Sequence, residues 1–439
     1  MSGVGNAAVQ EWWRPAAATP APAAAAATDD GERGRASFRA LLAFLFVLML
    51  SPQSVFTFLQ PLRIAFLSAG FAVFAYLMQR LSSREPLIDL TPAVKYAGFI
   101  VAWAVLTVPF SLWPGGSVSF LLEMYFKTLI IFLLLAHVID SVPRLHTVAW
   151  ALVLMAVPAA ITGIENYLSG ELIRGSRIFG YDAPLTKNPN DLALTMNLLL
   201  PLAIGLFLDA ERFVRKALLA GVIVLLVAAI IATFSRSGFL TLGVVSTVYA
   251  WRLVARGRTG LVAVVVVLGI GTAPFVPGHY WERLSTITNI EADSSGSAQA
   301  RWSDSFYALE WVGAHPIVGA GIGQNMLAMN EVRGDHWLKV HNVYLQYAVD
   351  LGLPGLVLYL MLLGTSIRNA GFAQRVAAYV RDARLFHLSE SVRVSLIGFV
   401  VAAAFHPSGY HFYFYLLAGL ALAVRAIANR RLASLEAAA

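Results

Sequence analysis

The chain has 439 residues, 58% of them hydrophobic and only 13% charged, with a mean hydropathy of +0.68 and a net charge of +7. Soluble domains carry about 25% charged residues, so this composition excludes an ordinary soluble protein. The positive charge has to be sorted by membrane side before it says anything about partners. Cysteine is absent, which excludes disulfides and thiolate chemistry.

In chain order, residues 1–36 are rich in Ala and Pro and hold Asp29, Asp30 and Glu32 just before the first apolar run. That length and acidity do not fit a signal peptide, and a disordered cytoplasmic tail is expected. Apolar runs able to cross ~30 Å of hydrocarbon follow at approximately 39–58, 62–80, 93–112, 118–138, 146–167, 190–209, 216–234, 237–254, 260–276, 353–369, 391–407 and 410–427. The pattern predicts an all-α polytopic membrane protein of about twelve transmembrane helices. Spans one to nine lie within 37–276, a large periplasmic loop occupies 277–352, spans ten to twelve lie within 353–430, and 431–439 form a cytoplasmic tail.

With the N-terminus inside, the alternating connections sort the basic residues strongly. Arg33, Arg35, Arg39, Arg80, Arg84, Lys95, Arg144, Arg212, Arg215, Lys216, Arg252, Arg256, Arg258, Arg368, Arg375, Arg381, Arg384, Arg430 and Arg431 all fall on one side. The positive-inside rule makes that side cytoplasmic, so both termini are expected there. Few basic residues remain outside, mostly in the 168–189 connection and the long loop. Arg236 stands nearly alone in the tight turn Thr233-Phe234-Ser235-Arg236-Ser237-Gly238, whose small residues are expected to leave room for a ligand.

Arginine grips phosphate with a rigid, permanently charged fork of donors. Several arginines converging at the outer interface could hold a pyrophosphate whose lipid tail stays in the bilayer, and could stabilise it as a leaving group. His341 begins a short helical stretch, where the helix dipole and nearby Lys339 both disfavour imidazolium. A neutral His can take a proton from an attacking hydroxyl.

Residues 301–313 place Trp302, Phe306, Leu309 and Val312 at helical spacing, which predicts an amphipathic helix on the membrane or over the spans. Gly319-Ala320-Gly321-Ile322-Gly323 follows no strand and is read as a sharp turn that lets backbone pass close to other segments. Pro354-Gly355 should end a short interfacial helix begun at His341 and spare Asp350 from deep burial. Glu291-Ala292-Asp293 is the only outer acidic pair of metal-binding form and is read as solvated loop, so no metal or other cofactor is expected. His406 and His411 flank a turn and are assigned to interfacial anchoring in preference to a metal site. Glu123 and Lys127 are expected to form an internal i,i+4 salt bridge.

Taken together, Arg301-Trp302, His315-Pro316-Ile317 with the glycines after it, His341-Asn342 and Leu351-Gly352-Leu353-Pro354-Gly355 resemble the O-antigen ligase and polymerase superfamily. Ser235-Arg236-Ser237-Gly238 is similar to that family's short outer turn, and Asn188-Pro189-Asn190 to an earlier motif. The resemblance implies about twelve spans in the bacterial inner membrane and a site at the periplasmic face. It further implies transfer of glycan from undecaprenyl pyrophosphate to an acceptor hydroxyl, with inversion and without metal or nucleotide sugar. Carried onto this sequence, it makes His341 the base and Arg236 and Arg301 the pyrophosphate ligands, with Arg177 and Lys187 as further ligands and Asn342 and Asn190 in support. A lipid A–core acceptor, as in the ligases, is the first reading. A polymerase of O-antigen or exopolysaccharide is the second. A twelve-span transporter is more remote, since the charges gather at one surface and no internal repeat is evident.

Overall fold

The computed structural model describes residues 34–171, 177–181, 183, 185–257, 259–260, 297–334, 337 and 339–437. The expected span at 260–276, Arg174, Glu291 and Asp293 lie outside them. Among the described residues the fold is helical, and ten helices are long and apolar enough to cross a membrane.

The N-terminal helices are α1 (Arg35–Leu50), the single turn α2 (Pro52–Val55), α3 (Ile64–Ser82) and α4 (Pro92–Thr107). A further span joins α5 (Pro114–Phe120) to α6 (Phe126–Val138) through a π-helical turn, Leu121–Tyr125. Then come α7 (Val142–Ser169), α8 (Pro189–Asp209), α9 (Phe213–Ala232) and α10 (Arg236–Ala255). After the undescribed segment lie α11 (Ser297–Ala314) and α12 (Asn325–Arg333), followed by α13 (Val343–Tyr379), α14 (Ala383–Ala402) and α15 (Phe412–Glu436). The sixteen residues of α1 rise about 24 Å, a little short of the hydrocarbon thickness.

Burial divides the bundle into a centre and a lipid-facing shell. The apolar windows of α8, α14 and α15 are 78%, 78% and 83% buried, against 17% for α3 and 22% for α10. Lipid gives helices no hydrophobic drive to associate, so close approach and interhelical hydrogen bonds do the work. Gly205 of α8 faces Ser391 of α14, where an added Cβ would come within 2.0 Å of the hydroxyl. Ser395 Oγ donates across the same interface to Leu198 O at 2.7 Å, and Asn197 Nδ2 of α8 donates to Gly238 O of α10 at 3.1 Å.

The expected break after His341 is present. Gly352 adopts φ 69°, ψ −176° inside α13 and divides it into a short helix and a long span. The glycine-rich strap fills that break. Ala320 N donates to Val349 O, Gly321 N to Asp350 O, and Leu353 N to Pro316 O, each at 2.8 Å. The first two bonds satisfy carbonyls that a terminating helix leaves open, and the third satisfies an N–H at the start of the next helical segment. Gly321, at φ 96°, lies so close to Ser111 that a Cβ would meet its hydroxyl at 2.0 Å. Ser111 Oγ donates to Ala320 O at 3.1 Å and Leu112 N to the same oxygen at 2.9 Å. The strap therefore ties α11 and α12 to the spans, as the sharp-turn reading anticipates.

Two expectations are corrected here. Asp350 is not spared burial: it is fully buried, and Asn325 Nδ2 donates to both its carboxylate oxygens at 3.2 Å. The strap folds over it and supplies partners in place of water. Glu123 and Lys127 make no salt bridge and are both exposed. The π-helical turn at Leu121–Tyr125 shifts the register on which an i,i+4 pair depends.

The α11 helix covers the expected amphipathic segment. It buries Ala308, Trp311 and Val312 and leaves Trp302, Phe306 and Leu309 exposed on another face, a face suited to the membrane interface. The kink gives a direct test. A Cβ at Gly352 would meet Ile317 O at 2.1 Å, in a positive-φ conformation as well. Gly352→Ala is expected to lose more than about 2 kcal/mol of stability, seen as a lower melting temperature in detergent. Gly313→Ala, where nothing lies within 4 Å, should melt as the parent protein does.

Candidate active site

The site is built at the end of the bundle where α11 and α12 sit. Asn342 is extended and its Oδ1 accepts from Tyr344 N at 2.9 Å and Leu345 N at 3.2 Å. It is an N-cap, a role worth about 1 kcal/mol, and it fixes the direction in which His341 leaves the helix. Val343 N donates to Ala403 O and Tyr344 OH to Val400 O, both at 2.7 Å. Gln346 Oε1 accepts from Gly409 N, and Tyr347 OH donates to Gly409 O, both at 3.0 Å. The start of α13 is thus pinned to the end of α14 and to the turn carrying His406.

His341 is partly buried, and its Nδ1 is sealed from solvent with no hydrogen-bond partner among the described residues. Burial, and then the charge of Arg301, hold its pKa below the ordinary histidine value. Asp304 and a backbone contact with Lys339 oppose that shift. The neutral imidazole expected from sequence therefore has a different cause, because Lys339 acts through its backbone and in the other direction. Arg301 stands on α11 one turn before Asp304. Asp304 forms a nearly buried ion pair with Arg333 of α12, which clips the two helices together.

A second group forms around Asn190 at the start of α8. Arg177 Nη2 donates to Asn190 Oδ1 at 2.7 Å, and Arg177 Nε to Thr233 O at 3.4 Å. Ser235 Oγ also donates to Asn190 Oδ1, at 2.8 Å, while accepting from Gly238 N at 3.2 Å as the cap of α10. Phe234 takes a left-handed φ of 51° to make this turn, and Arg236 is the first residue of α10. The small residues beside Arg236 are buried in packing and do not leave the space expected of them. A Cβ at Gly238 would lie 2.7 Å from that of Ala193 in α8.

His406 joins the two groups. Its Nε2 lies 3.1 Å from Asn190 O, and its charge would be felt by both Arg301 and His341. It is 3% exposed, so interfacial anchoring is not its role. Burial pushes its pKa down to about 3 and leaves it neutral. His411, also held down by burial, to about 4, has Lys339 as its neighbouring charge.

The sequence reading missed His406 and Asp191, which stands 3.6 Å from His406 Nδ1. The available signal was position: Asp191 directly follows the Asn188-Pro189-Asn190 motif. Lys187 is exposed in the turn before α8. Among the described residues no group of three or more His, Asp or Glu could hold a metal ion.

Asn190 is the acceptor for two buried donors. Asn190→Leu should cost about 1–3 kcal/mol in thermal melts, whereas Asn190→Asp, which keeps an acceptor oxygen, should cost clearly less.

Residues 221–360 match the family model described as O-antigen ligase. That stretch holds Arg236, Arg301, His341 and Asn342. No curated protein gives a significant match. Among solved structures, a chain from "Structural coordination of polymerization and crosslinking by a peptidoglycan synthase complex" aligns with a TM-score of 0.43 and 18% identity. The alignment covers 77% of this chain and 97% of that one. The match at residues 221–360 supports the resemblance to the O-antigen ligase and polymerase superfamily.

Proposed function

We propose that the protein transfers a glycan from undecaprenyl pyrophosphate to a sugar hydroxyl at the periplasmic face of the bacterial inner membrane, with lipid A–core as acceptor. The observation that carries this reading is the pairing of His341 and Arg301. A neutral imidazole with an unpaired, buried nitrogen lies within electrostatic reach of a guanidinium. One group accepts a proton and the other compensates the charge that develops on the departing pyrophosphate.

In this reaction His341 removes the proton from the acceptor hydroxyl. The resulting oxygen nucleophile attacks the anomeric carbon on the face opposite the pyrophosphate. The new glycosidic C–O bond forms as the C–O bond to phosphate breaks, and the electron pair leaves with undecaprenyl pyrophosphate. The anomeric centre inverts. Arg301 and Arg236 grip the pyrophosphate, while Arg177, held by Asn190, adds positive potential behind it. Lys187, exposed before α8, is assigned to attracting the anionic pyrophosphate of the donor as it arrives along the membrane surface. Pyrophosphate is already a good leaving group, so arginine charge can replace a metal. The ligase is the first reading and a polymerase of O-antigen or exopolysaccharide the second, since both use the same donor and chemistry.

His341→Ala is expected to abolish transfer of a lipid-linked glycan in proteoliposomes while donor binding persists. Loss of donor binding in that variant would make His341 a phosphate ligand. Arg301→Lys should lower kcat/KM by about 100-fold, because a point charge cannot reproduce a bidentate fork; an unimpaired variant contradicts the role.

The pH profile follows from the sign of the histidine shift. A base works when deprotonated, and His341 is held below the ordinary value of 6.5. The acid limb of kcat/KM should therefore fall below pH 6.5, and His341→Ala should remove it. A limb above 6.5 would contradict the assignment. Chelators should leave the rate unchanged, and inhibition reversed by Mn²⁺ or Mg²⁺ would contradict the metal-free mechanism.

A further inference from the structure

Next to His341 lies a second feature, a cavity of about 420 Å³ between α1, α2, the start of α8 and the turn into α15. Its size falls within the range of about 300–1,000 Å³ common for small-ligand sites. It adjoins the catalytic candidates through two of its lining residues. Lys339 is two positions from His341 and contacts it through the backbone, and His406 lies within electrostatic reach of His341.

Three buried polar atoms belong to residues lining this cavity and have no hydrogen-bond partner among the described residues. They are Gln53 Oε1, His406 Nδ1 and Ser408 Oγ. A buried polar atom left unpaired costs roughly 1–3 kcal/mol, so each of these side chains gains by turning its polar atom toward an occupant with several hydrogen-bonding groups. The histidine tautomer narrows its chemistry. A carbonyl oxygen only accepts, so His406 Nε2, 3.1 Å from Asn190 O, carries the proton. His406 Nδ1 is then a bare acceptor facing Asp191 Oδ1 at 3.6 Å. Gln53 Oε1 is an acceptor too. Neighbouring hydroxyls on a sugar ring supply the donors such a set lacks, and one of them can accept in turn from Ser408. A pyrophosphate offers only acceptors and would meet the Asp191 carboxylate.

We propose that this cavity is the subsite for the acceptor sugar, with Asp191, His406, Gln53 and Ser408 binding its hydroxyls beside His341. The assignment rests on the glycan-transfer reading, and it separates the glycan-binding wall of the site from the arginine wall. It also gives α1 and α2, which lie outside the residues matched by the family, a part in selecting the acceptor. Ser51, in a left-handed conformation at φ 44°, ends α1 at the cavity and starts the turn that brings Gln53 to its edge.

The test uses the full-length protein in nanodiscs. Gln53→Ala and Ser408→Ala each remove one hydroxyl contact without touching His341 or the arginines. Each is expected to raise the KM for lipid A–core about five-fold, with the KM for the lipid-linked donor unmoved. A raised donor KM, or no change in either, overturns the proposal. Saturation-transfer NMR with delipidated core oligosaccharide tests the cavity independently of transfer. Binding to the parent protein that weakens about five-fold in Ser408→Ala supports it, even if transfer itself is never observed. Core oligosaccharide that fails to bind, or binds the variant equally, overturns it whatever the fate of the catalytic reading.

Discussion

The break at Gly352 is the constraint on which the site depends. A helix running straight from Asn342 to Tyr379 would carry its first turns away from α14 and the His406 turn. With φ at 69°, Gly352 ends the first segment early, and the strap through Gly319 and Gly321 takes over the carbonyls that the break exposes. Buried Asp350, held by Asn325, locks the strap to α12, and α12 is clipped to α11 by Arg333 and Asp304. One backbone irregularity thus sets the position of His341 and, through the helices around it, that of Arg301. Such irregular backbone survives near a membrane because protein groups satisfy it where lipid could not.

On this scaffold, charge and neutrality are kept apart. Arg177 and Arg236 stand on the α8–α10 side and Arg301 on α11, while His341 and His406 are both held neutral by burial. The proposed transfer, which binds a pyrophosphate and also takes a proton, needs this separation. A protonated histidine would add to the grip on phosphate but could not serve as a base. Asn190 links the two sides: its side chain orders Arg177 and Ser235, and its carbonyl orders His406.

Much of the scaffold was legible in sequence because its signals are local. Hydrophobic length marks spans, and described helices cover eleven of the twelve apolar runs. Pro354-Gly355 signalled a break in α13 close to Gly352, where it occurs. Less legible were features set by tertiary contact. The break at Pro354-Gly355 suggests that Asp350 escapes burial, because its partner Asn325 is 25 residues away and meets it only when the strap folds. Glu123 and Lys127 were assigned a regular helical register that the π-helical turn removes. His406 looked like an interfacial residue, since nothing in its neighbourhood along the chain announces that Asn190, more than 200 positions earlier, will cover it. The residues around Arg236 were small for packing against α8, a reason indistinguishable in sequence from making room for a ligand.

The central claim is that arginines from separate segments and the His341 imidazole enclose one pyrophosphate-linked sugar. An experimental structure of the protein with undecaprenyl pyrophosphate bound would test it most directly. The account predicts phosphate oxygens within hydrogen-bonding distance of Arg301 and Arg236, with His341 Nδ1 facing the vacant side of the reacting carbon. A pyrophosphate seated at the opposite end of the bundle, near Arg252 and Arg256, would contradict it.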